Sequence, residues 1–237
     1  YFLRKFGYAA VKPLLMGMHQ PLVLEYFRRA TFNEELYWSG SPVFAPTHQH
    51  GLLTEKHADL AKIPGEYGRE LHRQALSQKA DADYLQRIEF VELRQRLAEM
   101  LLMRVDKIGM AHSIEARVPF LDHRLVEFTM SIPPGTKTPD RKTTKNILKK
   151  AVEEILPQDI IYRKKQGFWA PVNEWMRNEW HDFTKNELFN SHFVKEGIFR
   201  KEYIANMLER HSAGKTNHGF QLFSLLTLSM WYKRFFE

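Results

Sequence analysis

The sequence contains no cysteine. Within these residues that excludes a disulfide scaffold, a thiolate zinc site and a cysteine nucleophile. Long apolar runs are also missing. The longest, Phe220 to Tyr232, is shorter than a membrane span requires and is interrupted by Gln221, Ser224, Thr227 and Ser229. The opening residues carry no secretory-leader pattern, so a cytoplasmic protein is the expectation. Strand-like alternation is scarce, and there is no internal repeat, low-complexity tract, nucleophile elbow or dinucleotide fingerprint. Gly214-Lys215-Thr216 looks like the end of a phosphate loop, but Glu209 stands where that motif needs glycine, and a simple turn is expected.

What is present suits a globular protein. Of 237 residues, 43% are apolar, enough to fill a core of that size. The net charge of +7 would permit nucleic-acid binding, yet no arginine-rich tract or recognition-helix pattern accompanies it. Anionic small molecules account for the charge equally well. His48, His50 and His57 have no carboxylate or further histidine at ligand spacing, so they are expected to be solvated loop residues and no metal site is assigned.

Proline, glycine and apolar periodicity divide the chain into helices. Residues 1 to 30 read as helical segments broken at Pro13 and Pro21. A turn-rich stretch follows from Ser39-Gly40-Ser41-Pro42 to Gly51, and Thr54 then suits the N-cap of a helix that Pro64-Gly65 closes. From Asp81 to Lys107 the apolar positions Leu85, Ile88, Val91, Leu93, Leu97, Leu101, Leu102 and Val105 predict mostly buried helix. Asp122 caps a helix toward Met130, and further helices are expected at Thr143 to Ile155, Val172 to Lys185, Val194 to His211 and Asn217 to Phe236. No linker divides the chain, so residues 1–237 read as one mainly α unit.

Two segments concentrate charge. In Arg104-Val105-Asp106-Lys107 and Ser113 to Asp122, charges interrupt an apolar stretch and need partners. Asp106, Arg117 and Asp122 could neutralise one another at a helix junction. Alternatively, Glu115 and Arg117 share one side of an extended segment held by Pro119 and face a ligand. Between Arg141 and Lys165, eight Lys or Arg residues stand against three acids. Lys149 and Lys150 suit an ordinary surface helix. In Tyr162-Arg163-Lys164-Lys165-Gln166-Gly167-Phe168, three adjacent cations repel one another unless an anion offsets them, and Gly167 admits close backbone approach. A phosphate or pyrophosphate fits that loop, and a solvated basic turn is the alternative.

The stretch LAEMLLMRVDKIGMAHSIEARVPFLDHRLVEF, residues 97 to 128, resembles the C-terminal part of the glutamine-hydrolysing asparagine synthetase family. The resemblance continues through KTTKNILKKAVEEILP (142 to 157), YRKKQGFWAPVNEW (162 to 175) and LFSLLTLSMWYKRFF (222 to 236). Ala98 departs from the family, which usually has proline there. Residues 81–237 form the motif-bearing helical region, while 1–80 fit only loosely as a variable helical and loop region. The resemblance implies the helical C-terminal part of an α/β adenine-nucleotide (ATP pyrophosphatase) domain whose parallel sheet is largely absent from this chain. The family's glutaminase domain and its Ser-Gly-Gly-x-Asp-Ser pyrophosphate loop are not found here, so the fragment alone is expected to be inactive.

The implied reaction is ATP-dependent amidation of aspartate. The side-chain carboxylate attacks the α-phosphorus of ATP, and ammonia from glutamine then displaces AMP. Glu115 matches the glutamate beside the reacting groups and is the expected proton acceptor, and Lys165 matches the lysine that stabilises the departing pyrophosphate. Arg117 and Asp106 match positions that orient the loop, and Lys145 and Arg163 supplement the anion field. ATP and Mg2+ are the implied cofactors, with the Mg2+ ligands mainly outside this chain. The implied partners are aspartate or a related carboxylic acid, ATP and ammonia from a glutaminase domain, with no nucleic acid or membrane; a homodimer is compatible with the resemblance. Two rivals stay open: a related amidotransferase acting on a sugar carboxylate in surface-polysaccharide synthesis, and a non-catalytic basic helical module.

Overall fold

The structure, a computed structural model, describes residues 9, 13, 21–38, 42–140, 143–167 and 170–237. Most of the segment ahead of Pro21, the Ser39-Gly40-Ser41 turn, Arg141 and Lys142 of the basic cluster, and Phe168 lie outside the described residues. In chain order the elements begin with α1 (Pro21–Phe32), α2 (Pro46–Leu52), a 3₁₀ segment (Glu55–Lys62), α3 (Ile63–Gln78) and α4 (Tyr84–Glu92). A π-helical segment (Leu93–Leu102), α5 (Met103–Met110), a 3₁₀ turn (Pro119–Leu121), α6 (His123–Ser131), α7 (Pro134–Lys137), α8 (Asn146–Ala151) and α9 (Gln158–Ile161) follow. The chain ends in α10 (Val172–Arg177), α11 (His181–Phe189), α12 (His192–Lys195), α13 (Lys201–Ser212) and α14 (Gly219–Phe236). Among the described residues the one β feature is an isolated antiparallel bridge between Leu53 and Phe199. The mainly α reading holds.

The chain divides into two compact units, residues 1–68 with 169–237, and residues 69–168. The first has a well-defined core. Leu222, Leu225 and Leu226 recur at helical spacing on one face of α14 and pack with Val172, Met176, Leu188, Ile204, Met207, Leu208 and Leu52. Gly219 lets α10 and α14 approach closely, since a Cβ there would lie 2.8 Å from the Asn173 Cα. The chain near Leu53 is tied to the stretch before α13 by Arg200 N–H to Leu52 O at 2.7 Å and by Thr54 N–H to Ile198 O at 3.1 Å. In α1 the buried Glu25 accepts from Arg29 Nε at 2.7 Å, and the Arg29 guanidinium lies 4.0 Å from the Trp38 ring centre.

The second unit, residues 69–168, holds its helices mostly by local devices. Asp83 and Gln86 form a reciprocal capping box at the start of α4. The Asp122 carboxylate accepts from Arg124 N–H at 3.0 Å and caps α6, as its position before an apolar run predicts. Lys137 reaches back to Glu89 at 2.7 Å.

Several helix expectations change. Pro64-Gly65 does not close a helix: it lies in the first turn of α3, where proline's missing N–H costs nothing. Residues 55–62 are 3₁₀, and the Thr54 hydroxyl donates to Gly197 O at 2.6 Å instead of capping them. The expected buried helix over 81 to 107 has one fully enclosed apolar residue, Val91, whereas Leu101 is 44% and Val105 48% exposed. The periodicity is real, but most of that face is only half-buried and its end at Leu101 and Val105 stays exposed; the backbone over Leu93–Leu102 is also π-helical. The helices expected at 143–155, 172–185 and 194–211 are shorter, and the last two are broken at Asn178 to Trp180 and Glu196 to Arg200. No helix among the described residues is long and apolar enough to cross a membrane.

Candidate active site

All six residues singled out for chemistry, Asp106, Glu115, Arg117, Lys145, Arg163 and Lys165, lie in the second unit and are exposed. Helix α5 carries Asp106 and ends in a turn in which Ser113 N–H meets Met110 O at 3.0 Å and Ile114 N–H meets Gly109 O at 3.0 Å. The chain then runs without regular structure to Pro119, where the 3₁₀ turn and the Asp122 cap stop it. Leu121, beside that stop, lines a cavity of about 400 Å3 with Leu93, Leu97, Val126 and Met130. The Glu115 segment is therefore anchored at both ends while its own side chains stay in solvent.

Along that segment the alternation places Glu115 and Arg117 together, with Arg117 Nη2 donating to Glu115 Oε2 at 3.0 Å. The charge-neutralising triad of Asp106, Arg117 and Asp122 does not form. Asp122 pairs instead with Arg124 at 2.7 Å, and that guanidinium holds its carboxyl below the ordinary carboxylate value. Among the described residues Asp106, Lys145, Arg163 and Lys165 form no ion pair with Glu115, Arg117 or one another.

The basic loop is anchored at its first residue. Tyr162 donates its hydroxyl to Glu153, which raises the phenol above its ordinary pKa, and the Lys149 ammonium lies 5.4 Å from the Tyr162 ring centre. Lys149 is thus part of the loop's footing and not a plain surface residue. Beyond Tyr162, Arg163, Lys164 and Lys165 are exposed and meet no carboxylate among the described residues, and a side chain at Gly167 would meet open space. Three unoffset cations beside an uncovered glycine form a surface for an anion with several oxygens, such as a phosphate chain. Lys145 adopts a left-handed backbone (φ 58°) at the start of α8, and ahead of it Asp140 accepts from Thr143 N–H at 2.6 Å.

The family described as asparagine synthase matches residues 8–233. The chain belongs to the asparagine synthase family. It is similar to asparagine synthetase [glutamine-hydrolyzing] 1 of Bacillus subtilis (strain 168), at 28% identity over 224 residues, covering 94% of this chain and 33% of that protein. A putative asparagine synthetase [glutamine-hydrolyzing] of Mycobacterium tuberculosis (strain ATCC 25618 / H37Rv) is 29% identical over 230 residues, 95% of this chain and again 33% of the relative. Asparagine synthetase [glutamine-hydrolyzing] 3 of B. subtilis reaches 46% identity over 85 residues, 32% of this chain and 14% of its own length. The chain spans about a third of the length of the first two relatives. No solved structure gives a significant match.

Two residues to which the sequence pattern gives no role of their own shape the backbone of the candidate segments. Tyr162 bridges Glu153 and Lys149, a contact that spacing along the chain does not announce. Ser113 has φ 58°, which only the folded backbone reveals. The loop-histidine expectation also needs correction. His48 lies in α2 with its ring against Phe44 and 5.9 Å from that of His218, and burial pushes its pKa below the ordinary value.

Proposed function

We propose that this chain is the C-terminal part of an asparagine synthetase, a glutamine amidotransferase acting in the cytoplasm, and that it supplies the proton acceptor and the phosphate-facing cations for amidation of aspartate. In this reading the aspartate side-chain carboxylate attacks the α-phosphorus of ATP and pyrophosphate leaves, forming aspartyl-AMP. Ammonia from glutamine then attacks the acyl carbon, AMP departs with the bonding electrons, and Glu115 takes the proton lost by nitrogen. Lys165 and Arg163 offset charge developing on the pyrophosphate, Lys145 adds to the same field, and Arg117 and Asp106 orient the Glu115 segment.

The observation that carries the proposal is the uncompensated Arg163-Lys164-Lys165 surface, in the same compact unit as the Glu115–Arg117 pair and within the family match. Mg2+ would take its ligands mainly from outside this chain, since no group of three or more carboxylates or histidines among the described residues could hold it alone, and it would neutralise charge on the phosphates. The remaining fold is proposed as the parallel sheet of an ATP pyrophosphatase domain. The exposed apolar side chains of the second unit, Ile108, Ile114, Phe120 and Phe128 among them, support that assignment as a face for further structure.

The test is Glu115→Ala in the intact protein as expressed from its gene. Asparagine formation should be abolished while glutamine hydrolysis persists. Near-normal synthesis by the variant would return Glu115 to a charge-balancing role.

A further inference from the structure

On one face of α14 the apolar residues Leu222, Leu225 and Leu226 are buried, and the next position in that helical spacing is Ser229. Ser229 is only 5% exposed, yet it fills far less space than the leucines before it. A cavity of about 280 Å3 opens over it, lined from α11, α12 and α14 within the first unit. The other two aliphatic hydroxyls of α14 turn back onto their own helix, Ser224 donating to Phe220 O at 2.9 Å and Thr227 to Phe223 O at 2.8 Å. The Ser229 hydroxyl makes no such bond and has no partner among the described residues. A hydroxyl held that deep without a partner costs free energy unless something in the cavity bonds to it.

Around this floor the lining is polar and its charge is balanced. Ser191 is also buried, with its hydroxyl donated to Leu188 O at 2.7 Å. His192 forms a wall, its ring held by stacking on Tyr232 at 4.2 Å between centres. Lys195 has no carboxylate partner among the described residues, Lys233 lies 3.4 Å from Glu187, and Glu237 adds a second carboxylate. Asn186 and Asn190 are exposed at the mouth. Asn190 donates its amide to Asn186 O at 2.9 Å, which leaves its own side-chain oxygen and the whole Asn186 amide without a partner among the described residues.

Two ammonium groups set against two carboxylates select a ligand by charge. A plain anion is attracted by Lys195 and repelled by Glu187, and a simple amine meets the reverse; a zwitterion meets both signs favourably. The volume lies at the lower end for ligand pockets, which begin at roughly 300 Å3, so the occupant is a small metabolite. Unpartnered amides and a buried hydroxyl suit a polar side chain. The geometry points to a binding site for a free α-amino acid with a polar side chain, its carboxylate toward Lys195, its ammonium toward Glu187 and a polar atom on the Ser229 hydroxyl. This inference uses none of the residues proposed for amidation.

The experiment follows amide hydrogen exchange at residues 186–195 and 226–233 of the intact protein during titration with three probes: L-asparagine, succinamate, which is the same molecule without its ammonium, and inorganic phosphate. L-Asparagine should slow exchange in both segments to a saturating limit, phosphate should not, and succinamate should bind about tenfold more weakly. Ser229→Leu continues the apolar stripe, fills the cavity, and should abolish the protection while the thermal midpoint holds. Ser229→Ala should weaken L-asparagine by about threefold to tenfold, and it decides the matter if the leucine variant does not fold. Lys195→Gln should weaken both organic probes, whereas Glu187→Gln should weaken L-asparagine and leave succinamate unchanged. The proposal is overturned by an absence of protection from L-asparagine, by equal protection from phosphate or succinamate, or by undiminished protection in the Ser229 variants.

Discussion

Replacing Lys165 with alanine is the most direct probe of the basic loop. Lys165 is exposed and has no carboxylate partner among the described residues, so its removal orphans nothing inside the protein and leaves the fold alone. Its worth is therefore whatever it contributes to an anion. An ammonium about 4 Å from a phosphate oxygen interacts by roughly 1 kcal/mol in bulk water and about 4 kcal/mol at the effective dielectric of a partly enclosed site. Loss of one such donor costs on the order of a hundredfold to a thousandfold in turnover. Lys165→Arg should also be impaired, because a planar guanidinium does not replace a compact ammonium at a point-charge site. The assay is pyrophosphate release from aspartate and ATP by the intact protein. Lys149 cannot serve as a neutral control, since it stacks on Tyr162 at the foot of the loop. Lys150, exposed on α8, is the suitable one. If Lys165→Ala and Lys150→Ala lose equally little, the loop is only a solvated basic turn and the phosphate assignment fails.

Two further predictions concern stability. His48 is held below its ordinary pKa of 6.5 by burial, so the unfolded chain binds this proton more readily than the folded one. Stability should be full above pH about 6.5 and fall as pH drops from there through the folded pKa; His48→Gln should show a shallower loss of thermal midpoint between neutral and mildly acidic pH, and an unchanged slope would refute the assignment. Leu222, with no exposed surface in the core of the first unit, should cost about 2 to 5 kcal/mol when changed to alanine, read from urea unfolding; a cost below about 1 kcal/mol would mean that this core relaxes around the cavity.

Local chemistry was legible along the chain. Asp122 announces a helix start because a short acceptor before an apolar run satisfies a free N–H, and the structure places that bond. Gly214 announces a turn, and Leu222, Leu225 and Leu226 announce a buried face by spacing alone. The adjacency of Arg163, Lys164 and Lys165 is a property of the sequence itself, as is the alternation that brings Glu115 and Arg117 into contact. Pro64 shows the limit of such punctuation, because proline is unfavourable inside a helix and welcome at its start, and only the path of the chain decides which applies.

Tertiary structure decided the rest. Periodicity says which face of residues 81 to 107 is apolar, but burial depends on what covers that face, and Leu101 and Val105 remain exposed. The footing of the basic loop depends on Lys149 and Glu153 meeting Tyr162 across a turn, and the lowered pKa of His48 depends on burial, with the ring of His218, far away in sequence, 5.9 Å from its own. Residue type determines which hydrogen bonds, charges and backbone angles are available. Which of them are used, as with Thr54 donating to Gly197 O instead of capping its own helix, is settled only when distant segments fix where the backbone must go.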